Sequence, residues 1–312
     1  MAGFTKTETI WFNGRFVPWE DAKVHVMAHG LHYGSGVFEG IRCYSTPDGP
    51  AVFRLDDHIR RFFESAALYE IDVPYTPEQL TSATIELVRR NRMTNAYIRP
   101  IAFFDAYTLT VWPRGCPVVV AIVTVPLGAY LEGRERGTRV TVSSIRKFDP
   151  SAIPTTGKSS GQYVNSVRAV QEALRRGYDE AILLNARGEV AEGSGENLFV
   201  VKDGTLITND ADAAILPGIT RDSVLTIARD LGLPSRVRAI TVADLETADE
   251  LFFSGTAVEV TPIREVDGRT IGDGSPGRVT KQIQRIFFDI VEGRRPEHRQ
   301  WLSTVSEPVR TA

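Results

Sequence analysis

The stretch AIPTTGKSSGQYVNS, residues 152–166, places Lys158 among small residues just before a predicted helix. A lysine in such a stretch could bind a nucleotide phosphate, form a Schiff base with a carbonyl compound, or remain solvated. Schiff-base chemistry needs space for the carbonyl partner and a lowered lysine pKa. The small neighbours provide the space. Most lysines are nevertheless exposed, so this stretch alone favours a solvated side chain.

Other sites for phosphate or metal are disfavoured by their spacing. A nucleotide P-loop has a glycine five residues before its Gly-Lys pair, but here that position is Ala152, followed by Ile153 and Pro154. The histidines of HVMAHGLH have no accompanying glutamate, so their spacing favours packing over metal binding. Neither GSGVFEG nor GSGENLF has a third glycine at the spacing of a dinucleotide-binding motif.

Four further stretches supply groups that complement a reactive lysine. EGSGE carries two carboxylates, Glu192 and Glu196, around a double-glycine turn, and the residues alone do not decide between them. LPGITRD begins a helix whose free N–H groups favour a phosphate. FSGT is a second turn suited to an anion, and Arg61 lies among phenylalanines on a helix, where it could clamp a phosphate. A lysine, a carboxylate and an anion-binding cup are the parts of a pyridoxal phosphate site.

The elements that must position these groups are strands in hairpins with helices interspersed, which is typical of an α+β fold. Asn13-Gly14 predicts a hairpin turn, and VFEGIRCYST predicts a strand. Asp56 or Asp57 caps a predicted helix that extends to about Ile71, and Thr76-Pro77 begins another. Further predicted helices are 162–176, before Gly177, and GITRDSVLTIARDLG. The polar segment LGAYLEGRERG divides a small N-terminal domain, 1–126, from a large C-terminal domain, 138–312, with 127–137 as the linker.

Composition narrows the class of protein. The chain has 312 residues, 42% of them hydrophobic, and a net charge of −3, which argues against a nucleic-acid or anionic-membrane partner. Two cysteines, Cys43 and Cys116, argue against a disulfide framework or a cysteine-rich metal site. The N-terminus carries no apolar segment of signal-peptide length. We expect a cytoplasmic protein without a metal centre.

The order and length of six motifs resemble the branched-chain amino-acid aminotransferases of fold type IV: HGLHYGSGVFEGIRCY, AYIRP, GKSSGQYVNSV, EGSGENLF, LPGITRD and FFSGTAVEVTPI. The similarity covers about residues 8–302. It implies a pyridoxal phosphate enzyme with two α/β domains joined by a short linker, and an active site between them. It also implies a homodimer, or a hexamer formed as a trimer of dimers, whose substrates are amino acids and 2-oxo acids.

The resemblance also implies roles for individual residues. Lys158 matches the Schiff-base lysine and sole catalytic residue, and Glu192 matches the carboxylate that pairs with the pyridine nitrogen. The implied cofactor-binding residues are Arg61, Lys158, Tyr163, Glu192, Leu216, Ile219, Thr220, Gly255 and Thr256. The implied substrate-binding residues are Tyr33, Phe38, Gly40, Tyr97, Arg99, Val111, Tyr130, Thr256 and Ala257, of which Tyr33 and Val111 match residues that reach in from a partner subunit.

The implied reaction is ping-pong transamination of leucine, isoleucine or valine with 2-oxoglutarate. Leu127, Gln162 and the stretch 106–111 depart from the family pattern, which leaves the substrate range open. A transaminase of D-amino acids or (R)-amines, and less favourably an aminodeoxychorismate lyase, shares the fold and the lysine.

Overall fold

The computed structural model describes residues 5–128 and 135–305, which form two compact units. Of these, residues 5–128, 157–161 and 289–305 belong to the first unit, and residues 135–156 and 162–288 to the second. The predicted division at 126 and 138 treated everything after the linker as one domain. The segments 157–161 and 289–305 instead pair with strands of the first unit. The centre of the predicted linker, 129–134, lies outside the described residues.

The α-helices in the described residues are α1 (His29–Tyr33), α2 (Leu55–Leu68), α3 (Pro77–Arg90), α4 (Tyr163–Arg175), α5 (Ile219–Asp230), α6 (Val242–Glu246) and α7 (Arg278–Val291). Short 3₁₀ helices cover Trp19–Asp21, Ala211–Ala213 and Pro296–Trp301. None of the described helices is both long and apolar enough to cross a membrane.

The strands in the same part of the chain are β1 (Thr9–Phe12), β2 (Arg15–Pro18), β3 (Gly36–Phe38), β4 (Ile41–Thr46), β5 (Gly49–Phe53), β6 (Ala96–Phe104), β7 (Val118–Val125), β8 (Thr138–Arg146), β9 (Glu180–Leu184), β10 (Val190–Gly193), β11 (Asn197–Lys202), β12 (Thr205–Thr208), β13 (Ser235–Val237), β14 (Glu250–Gly255), β15 (Glu259–Val266), β16 (Arg269–Thr270) and β17 (Leu302–Thr304). With the helices they form the α+β fold that the sequence predicts.

The first unit is built on one sheet with strand order β17-β5-β4-β6-β7-β1-β2, and β3 also pairs with β6. The predicted turn at Asn13-Gly14 is confirmed, because β1 and β2 are antiparallel and both turn residues have positive φ, 45° and 83°. Helices α2 and α3 pack their apolar faces into the core of this unit. Its fully buried side chains include Ile41, Leu55, Ile59, Phe62, Leu80, Leu87, Ile98 and Ile122. Each such side chain contributes about 1.5–3 kcal/mol relative to exposure.

The start of α3 follows its sequence signal closely. Thr76 accepts the Gln79 N–H at 3.3 Å, and the Gln79 side chain accepts the Thr76 N–H at 2.8 Å, which completes a capping box. Pro77 occupies the first helical position as predicted.

The predicted start of α2 is wrong. The helix begins at Leu55, directly after Arg54, whose left-handed φ of 52° turns the chain, and no side chain caps it. Asp57 cannot act as the cap because its carboxylate binds the side chains of Arg54 and Arg60 instead. The helix also ends earlier than predicted, at Leu68, and Glu70 then adopts a φ of 53° that is incompatible with continuation.

The predicted strand VFEGIRCYST is interrupted once. Strands β3 and β4 pair with β6 in one continuous antiparallel register, Phe38 opposite Ile101 and Ile41 opposite Ile98, and the N–H of Glu39 donates to the Pro100 carbonyl at 2.9 Å. Side chains alternate along such a strand, so Glu39 falls in line with Val37 and Ile41. A carboxylate therefore stands in an apolar row.

The second unit has strand order β10-β9-β8-β15-β14-β11-β12-β13, with β16 beside β15. Asp203-Gly204 forms the turn of the hairpin that joins β11 to β12, with φ of 48° and 72°. Helix α4 matches its predicted range to within one residue at each end and is followed by Gly177 at φ 80°, as a helix-ending glycine requires. Strands β14 and β15 form an antiparallel pair joined by residues 256–258.

Candidate active site

Backbone hydrogen bonds on two sides hold the segment that carries Lys158. The Lys158 carbonyl accepts the Phe38 N–H at 3.1 Å, and Ser159 forms a bridge with Val37 of β3. The Lys158 N–H donates to the Ser65 hydroxyl of α2 at 3.0 Å. The segment is therefore an extra edge to β3 in the first unit, and the lysine side chain starts from a fixed backbone position.

The Lys158 amine occupies an apolar and charged environment. Its nitrogen lies 5.1 Å from the centre of the Phe38 ring. Burial lowers the pKa of the amine from 10.5 to about 8, Glu39 opposes that change, and Arg61 reinforces it. A lysine with this pKa is partly neutral near pH 8, which is the state that attacks a carbonyl or accepts a proton.

Glu39 connects two residues of α2. Its carboxylate accepts two hydrogen bonds from Arg61, Nε to Oε1 at 2.6 Å and Nη2 to Oε2 at 2.9 Å, and its Oε2 also lies 2.7 Å from His58 Nδ1. The side chains of Glu39 and His58 are 0% and 1% exposed. Although burial opposes ionisation, Arg61 and His58 hold the pKa of Glu39 below its usual range. Burial lowers the pKa of His58 despite Glu39, so a neutral imidazole donates from Nδ1.

Arg99 and Tyr97 lie on one face of β6 because strand residues two apart point the same way. Arg99 Nη2 donates to Tyr97 Oη at 2.8 Å, and the guanidinium carbon lies 4.4 Å from the centre of the Phe38 ring. Arg99 Nε is buried and has no hydrogen-bond partner among the described residues. Arg99 therefore presents a cation whose hydrogen-bonding capacity is not used up.

Gly40 is the residue that leaves room for this pair. A Cβ at Gly40 would lie 2.1 Å from Tyr97 Oη, so any larger residue would displace the tyrosine. The structure thus brings together Phe38, Gly40, Arg61, Tyr97, Arg99 and Lys158, all of them predicted site residues, in the first unit.

Tyr33 and Val111 lie on the surface of the first unit, 44% and 78% exposed. The Tyr33 hydroxyl donates to the Leu109 carbonyl at 2.6 Å, so α1 and the 105–112 loop lie side by side. Their predicted role toward a partner subunit stays a prediction. Tyr130 lies outside the described residues.

Glu192 is the centre of a buried polar cluster in the second unit. Its Oε1 accepts from Lys147 Nζ at 2.7 Å, and its Oε2 accepts from Asn197 Nδ2 and from the Leu216 N–H, each at 3.1 Å. Glu196, the other carboxylate of the motif, is also buried, and its side chain accepts the Gly195 N–H at 3.0 Å. Glu192 is thus a hydrogen-bond acceptor with three donors around it.

The N-terminus of α5 offers backbone N–H groups suited to binding an anion. Gly218 precedes the helix without any side-chain cap, and a Cβ there would lie 2.0 Å from Asn197 Oδ1. Ile219 and Thr220, the first two helical residues, are buried. The uncapped N–H groups and the dipole of this 12-residue helix favour a negative group.

A second small-residue turn follows β14. Ser254 is fully buried, and its hydroxyl has no hydrogen-bond partner among the described residues. Gly255, Thr256 and Ala257 continue the chain with half-buried side chains or backbone. An orphaned buried hydroxyl beside a small-residue turn fits an acceptor such as phosphate, because buried polar atoms are otherwise paired. Tyr163, the remaining predicted site residue, is the first residue of α4.

Sequence reasoning missed four residues of these clusters: Glu39, His58, Lys147 and Asn197. Glu39 had a usable signal, because a carboxylate in phase with Val37 and Ile41 is buried and needs partners. His58 and Lys147 gave no local signal, since their partners Glu39 and Glu192 are 19 and 45 residues away in the chain, whereas Asn197 lies five residues after its partner Glu192.

Comparison with known proteins assigns the family. Residues 36–266 match the amino-transferase class IV family. The branched-chain-amino-acid aminotransferase of Escherichia coli K12 is 45% identical over 305 residues, 97% of this chain and 99% of the relative. The crystal structure of an Escherichia coli branched-chain amino acid aminotransferase has a TM-score of 0.95 and covers 96% of this chain and 100% of its own. A T.th. branched-chain amino acid aminotransferase, complexed with N-(5'-phosphopyridoxyl)-L-glutamate, is 45% identical with a TM-score of 0.93, covering 96% and 99%. The chain therefore belongs to the class IV aminotransferases, and among them to the branched-chain amino-acid aminotransferases.

Proposed function

We propose that the enzyme transfers the amino group of leucine, isoleucine or valine to 2-oxoglutarate in two half-reactions that share pyridoxal phosphate. The observation that carries the proposal is the Lys158 amine, whose pKa is lowered to about 8 on a segment fixed by β3 and α2. The names of the similar proteins support branched-chain substrates. The phosphopyridoxyl-glutamate complex of the T.th. protein supports glutamate and its oxo acid as the second pair.

The residues present fit the cofactor in the chemistry of their donor set. Lys158 offers an amine for covalent attachment, Tyr163 a phenol for the ring oxygen, and Glu192 a carboxyl group for the ring nitrogen. Leu216 would contribute through its backbone, since its N–H already orients Glu192. The phosphate would be held by Arg61, the start of α5 and the turn after β14, with the residues Ile219, Thr220, Gly255 and Thr256. The unpartnered Ser254 hydroxyl supports an acceptor at that turn.

The bound cofactor supplies an acceptor for the electron pair left on the substrate Cα when its proton is removed. Glu192 favours that chemistry because an anion next to the ring nitrogen stabilises its protonated form. Lys158 Nζ would take the proton from the substrate Cα and return it two atoms further along, to the cofactor carbon on the other side of the amino nitrogen. Its lowered pKa suits this shuttle, because part of the amine is neutral near pH 8 and can then accept a proton.

Substrate choice follows from the groups around Lys158. The rings of Phe38 and Tyr97, with Val111 of the partner subunit, would contact a branched aliphatic side chain. Arg99 would bind the distal carboxylate of glutamate, because its guanidinium is half-buried with an unpartnered Nε. Arg99 would bind the carboxylate of glutamate but stay stacked on the aromatic rings when the substrate is aliphatic. Both classes of substrate could then use the same site.

A panel of half-reactions tests the substrate assignment. The cofactor-loaded protein is mixed separately with L-leucine, L-isoleucine, D-alanine and (R)-1-phenylethylamine, and the visible band of the lysine-bound cofactor is followed. We expect the two L-amino acids to remove the band and Lys158→Ala to lack it from the start. Loss of the band with D-alanine or the amine, but not with L-leucine, would instead support the D-amino-acid or (R)-amine transaminase. Aminodeoxychorismate, offered alone, tests the lyase.

We also propose that the enzyme is a homo-oligomer built on dimers. An exposed apolar patch, defined as Val26, Leu31, Tyr107, Val111 and Trp112, covers α1 and the adjacent loop of the first unit, with every member at least 64% exposed. Hydrogen bonds from His32 to Val26 and from Tyr33 to Leu109 hold these segments together. A patch of this kind is typical of a protein interface. We place the enzyme in the cytoplasm, where the thiols of Cys43 and Cys116 would stay reduced.

A further inference from the structure

We infer that Glu39 is a positioning residue: its buried carboxylate orients the Arg61 guanidinium for the cofactor phosphate and sets the charge around the Lys158 amine. The inference rests on the proposed function, because Arg61 and Lys158 are assigned their roles there. Glu39 itself need not touch cofactor or substrate.

The position of the carboxylate is itself fixed by the sheet. Glu39 occupies a ladder position opposite Pro100, and the N–H of Gly40 donates to Glu39 Oε2 at 3.2 Å. Arg61 meets both carboxylate oxygens through two different nitrogens, at 2.6 and 2.9 Å. A two-point contact of this kind defines the plane of a guanidinium as well as its place. Glu39 therefore dictates which way Arg61 faces.

Stability alone does not explain a fully buried carboxylate in this row. Glu39 shares the core-facing row of Val37, Ile41 and Cys43, all of them buried. Buried ion pairs are often no more stabilising than apolar residues of the same volume, because desolvation offsets their attraction. What an ion pair does provide is one defined arrangement of the charged groups. That property is useful at a phosphate-binding arginine.

The negative charge of Glu39 also acts on the reactive amine of Lys158. The charged or titratable groups in contact with its carboxylate are Arg61 and His58 on α2, and those that act on the Lys158 amine are Glu39, Arg61, Tyr97 and Arg99. Glu39 raises the pKa of Lys158, whereas Arg61 and Arg99 lower it. Glu39 is the largest of the contributions that oppose burial and the two arginines, with Tyr97 next, so it limits how far they lower the pKa of Lys158.

The test compares Glu39→Gln with Glu86→Gln, a matched control in the same unit that removes a carboxylate bound to Arg89 and Arg90 at the surface. Cofactor-free protein is titrated with pyridoxal phosphate, and the visible band gives the Kd. Losing a charge-assisted contact that orients Arg61 should raise the Kd about ten-fold or more for Glu39→Gln. The Kd of Glu86→Gln should stay within about two-fold of wild type.

A second readout separates positioning from general damage. The midpoint of pH-dependent amine labelling at Lys158 should fall below its wild-type value in Glu39→Gln, because the attracting anion is gone. Combined with Arg61→Met, Glu39→Gln should raise the Kd by no more than about two-fold over Arg61→Met alone, since the orienting target is absent. An unchanged Kd and midpoint, or fully additive Kd changes, would overturn the inference.

Folding failure would not end the test. Glu39→Asp keeps the charge one methylene shorter, and it should give a Kd above wild type with the labelling midpoint preserved; a wild-type Kd would overturn the orienting role. Failure of the proposed function looks different, because wild-type protein would then form no visible band with pyridoxal phosphate at all.

Discussion

The Lys158 amine titrates in an environment where burial and Arg61 favour its neutral form and Glu39 favours its charged form. Because the balance lowers its pKa to about 8, the folded, cofactor-free protein should react with an amine-specific reagent increasingly as pH rises through about 8. In the unfolded protein the same lysine should need a pH near 10.5. Mass spectrometry of the Lys158 peptide measures both midpoints, and identical midpoints in folded and unfolded protein would refute the prediction.

The proposed role of Arg99 leads to a second prediction, which concerns the choice between glutamate and leucine. Replacing it with methionine removes the counter-charge for a distal carboxylate but keeps an apolar side chain beside Phe38 and Tyr97. The half-reaction with L-glutamate should slow about 10- to 100-fold, whereas that with L-leucine should change by about three-fold or less. Stopped-flow spectra of the cofactor band measure both rates.

The control for Arg99→Met is Arg90→Met, which removes a guanidinium stacked on Phe16 at 4.2 Å. It should leave both half-reactions near wild type. Equal losses on glutamate and leucine in Arg99→Met would show that the arginine supports the pocket generally and is not the carboxylate receptor.

A functional residue can be predicted from the sequence when the residues it contacts are close to it in the chain. Small neighbours marked Lys158, and only the family resemblance selected Glu192 over Glu196. Glu39 and His58 are separated by 19 residues but meet at 2.7 Å, because β3 and α2 pack together. Contacts of that kind follow from the fold, so no local pattern could reveal them.

At the scale of elements, the turn after α1 controls the segment that carries the lysine. Gly34 has a φ of 65°, its carbonyl accepts the Gly161 N–H at 3.1 Å, and a Cβ there would lie 2.7 Å from Gly161 Cα. Gly34→Ala should cost about 1 kcal/mol in backbone strain and also push the segment 157–161 away from β3. Weaker cofactor binding should accompany the lower Tm.

Gly49→Ala is the matched control because Gly49 also has a positive φ, 100°, but no atom within 4 Å of its Cβ position. It should lower the Tm through strain alone and leave the Kd for pyridoxal phosphate unchanged. If Gly34→Ala matched it in both measurements, the close approach to Gly161 would have no role.

The elements themselves were predictable where their ends carry local chemistry. Asn13-Gly14, Thr76 with Gln79, and Gly177 each mark a turn or a helix end through their own backbone preferences. The start of α2 was mispredicted because the carboxylate of Asp57 had two arginines to bind, a competition that the capping pattern does not contain. The capping preference of a residue sets the end of a helix only when its side chain has no stronger partner elsewhere.

For the whole molecule, the exposed apolar patch leads to a prediction about the association of subunits. Val111→Asp places a charge in this patch, which should weaken a subunit interface by desolvation and shift the population toward monomer. Light scattering coupled to size-exclusion chromatography measures the mass. Val237→Asp, at a residue also exposed but on the edge strand β13 of the second unit, should leave the mass unchanged. An unaltered mass for Val111→Asp would place the interface elsewhere.

The division of the chain was the least predictable property at this scale. A polar, glycine-rich stretch signals where a chain can be divided, but it does not say that a later segment returns. Segments 157–161 and 289–305 join the first unit through pairing with β3 and β5, and both pairings are made by residues far apart in sequence.

The return of the chain end has a consequence for biosynthesis. Strand β17, at 302–304, covers β5, at 49–53, with Leu302 opposite Phe53. A ribosome that has made the whole of the second unit has therefore still not released the last strand of the first. We expect the nascent chain to carry β5 as an uncovered sheet edge for nearly all of its translation, and such edges are sites of mispairing. The N-terminal unit would then be the last part of the enzyme to be finished.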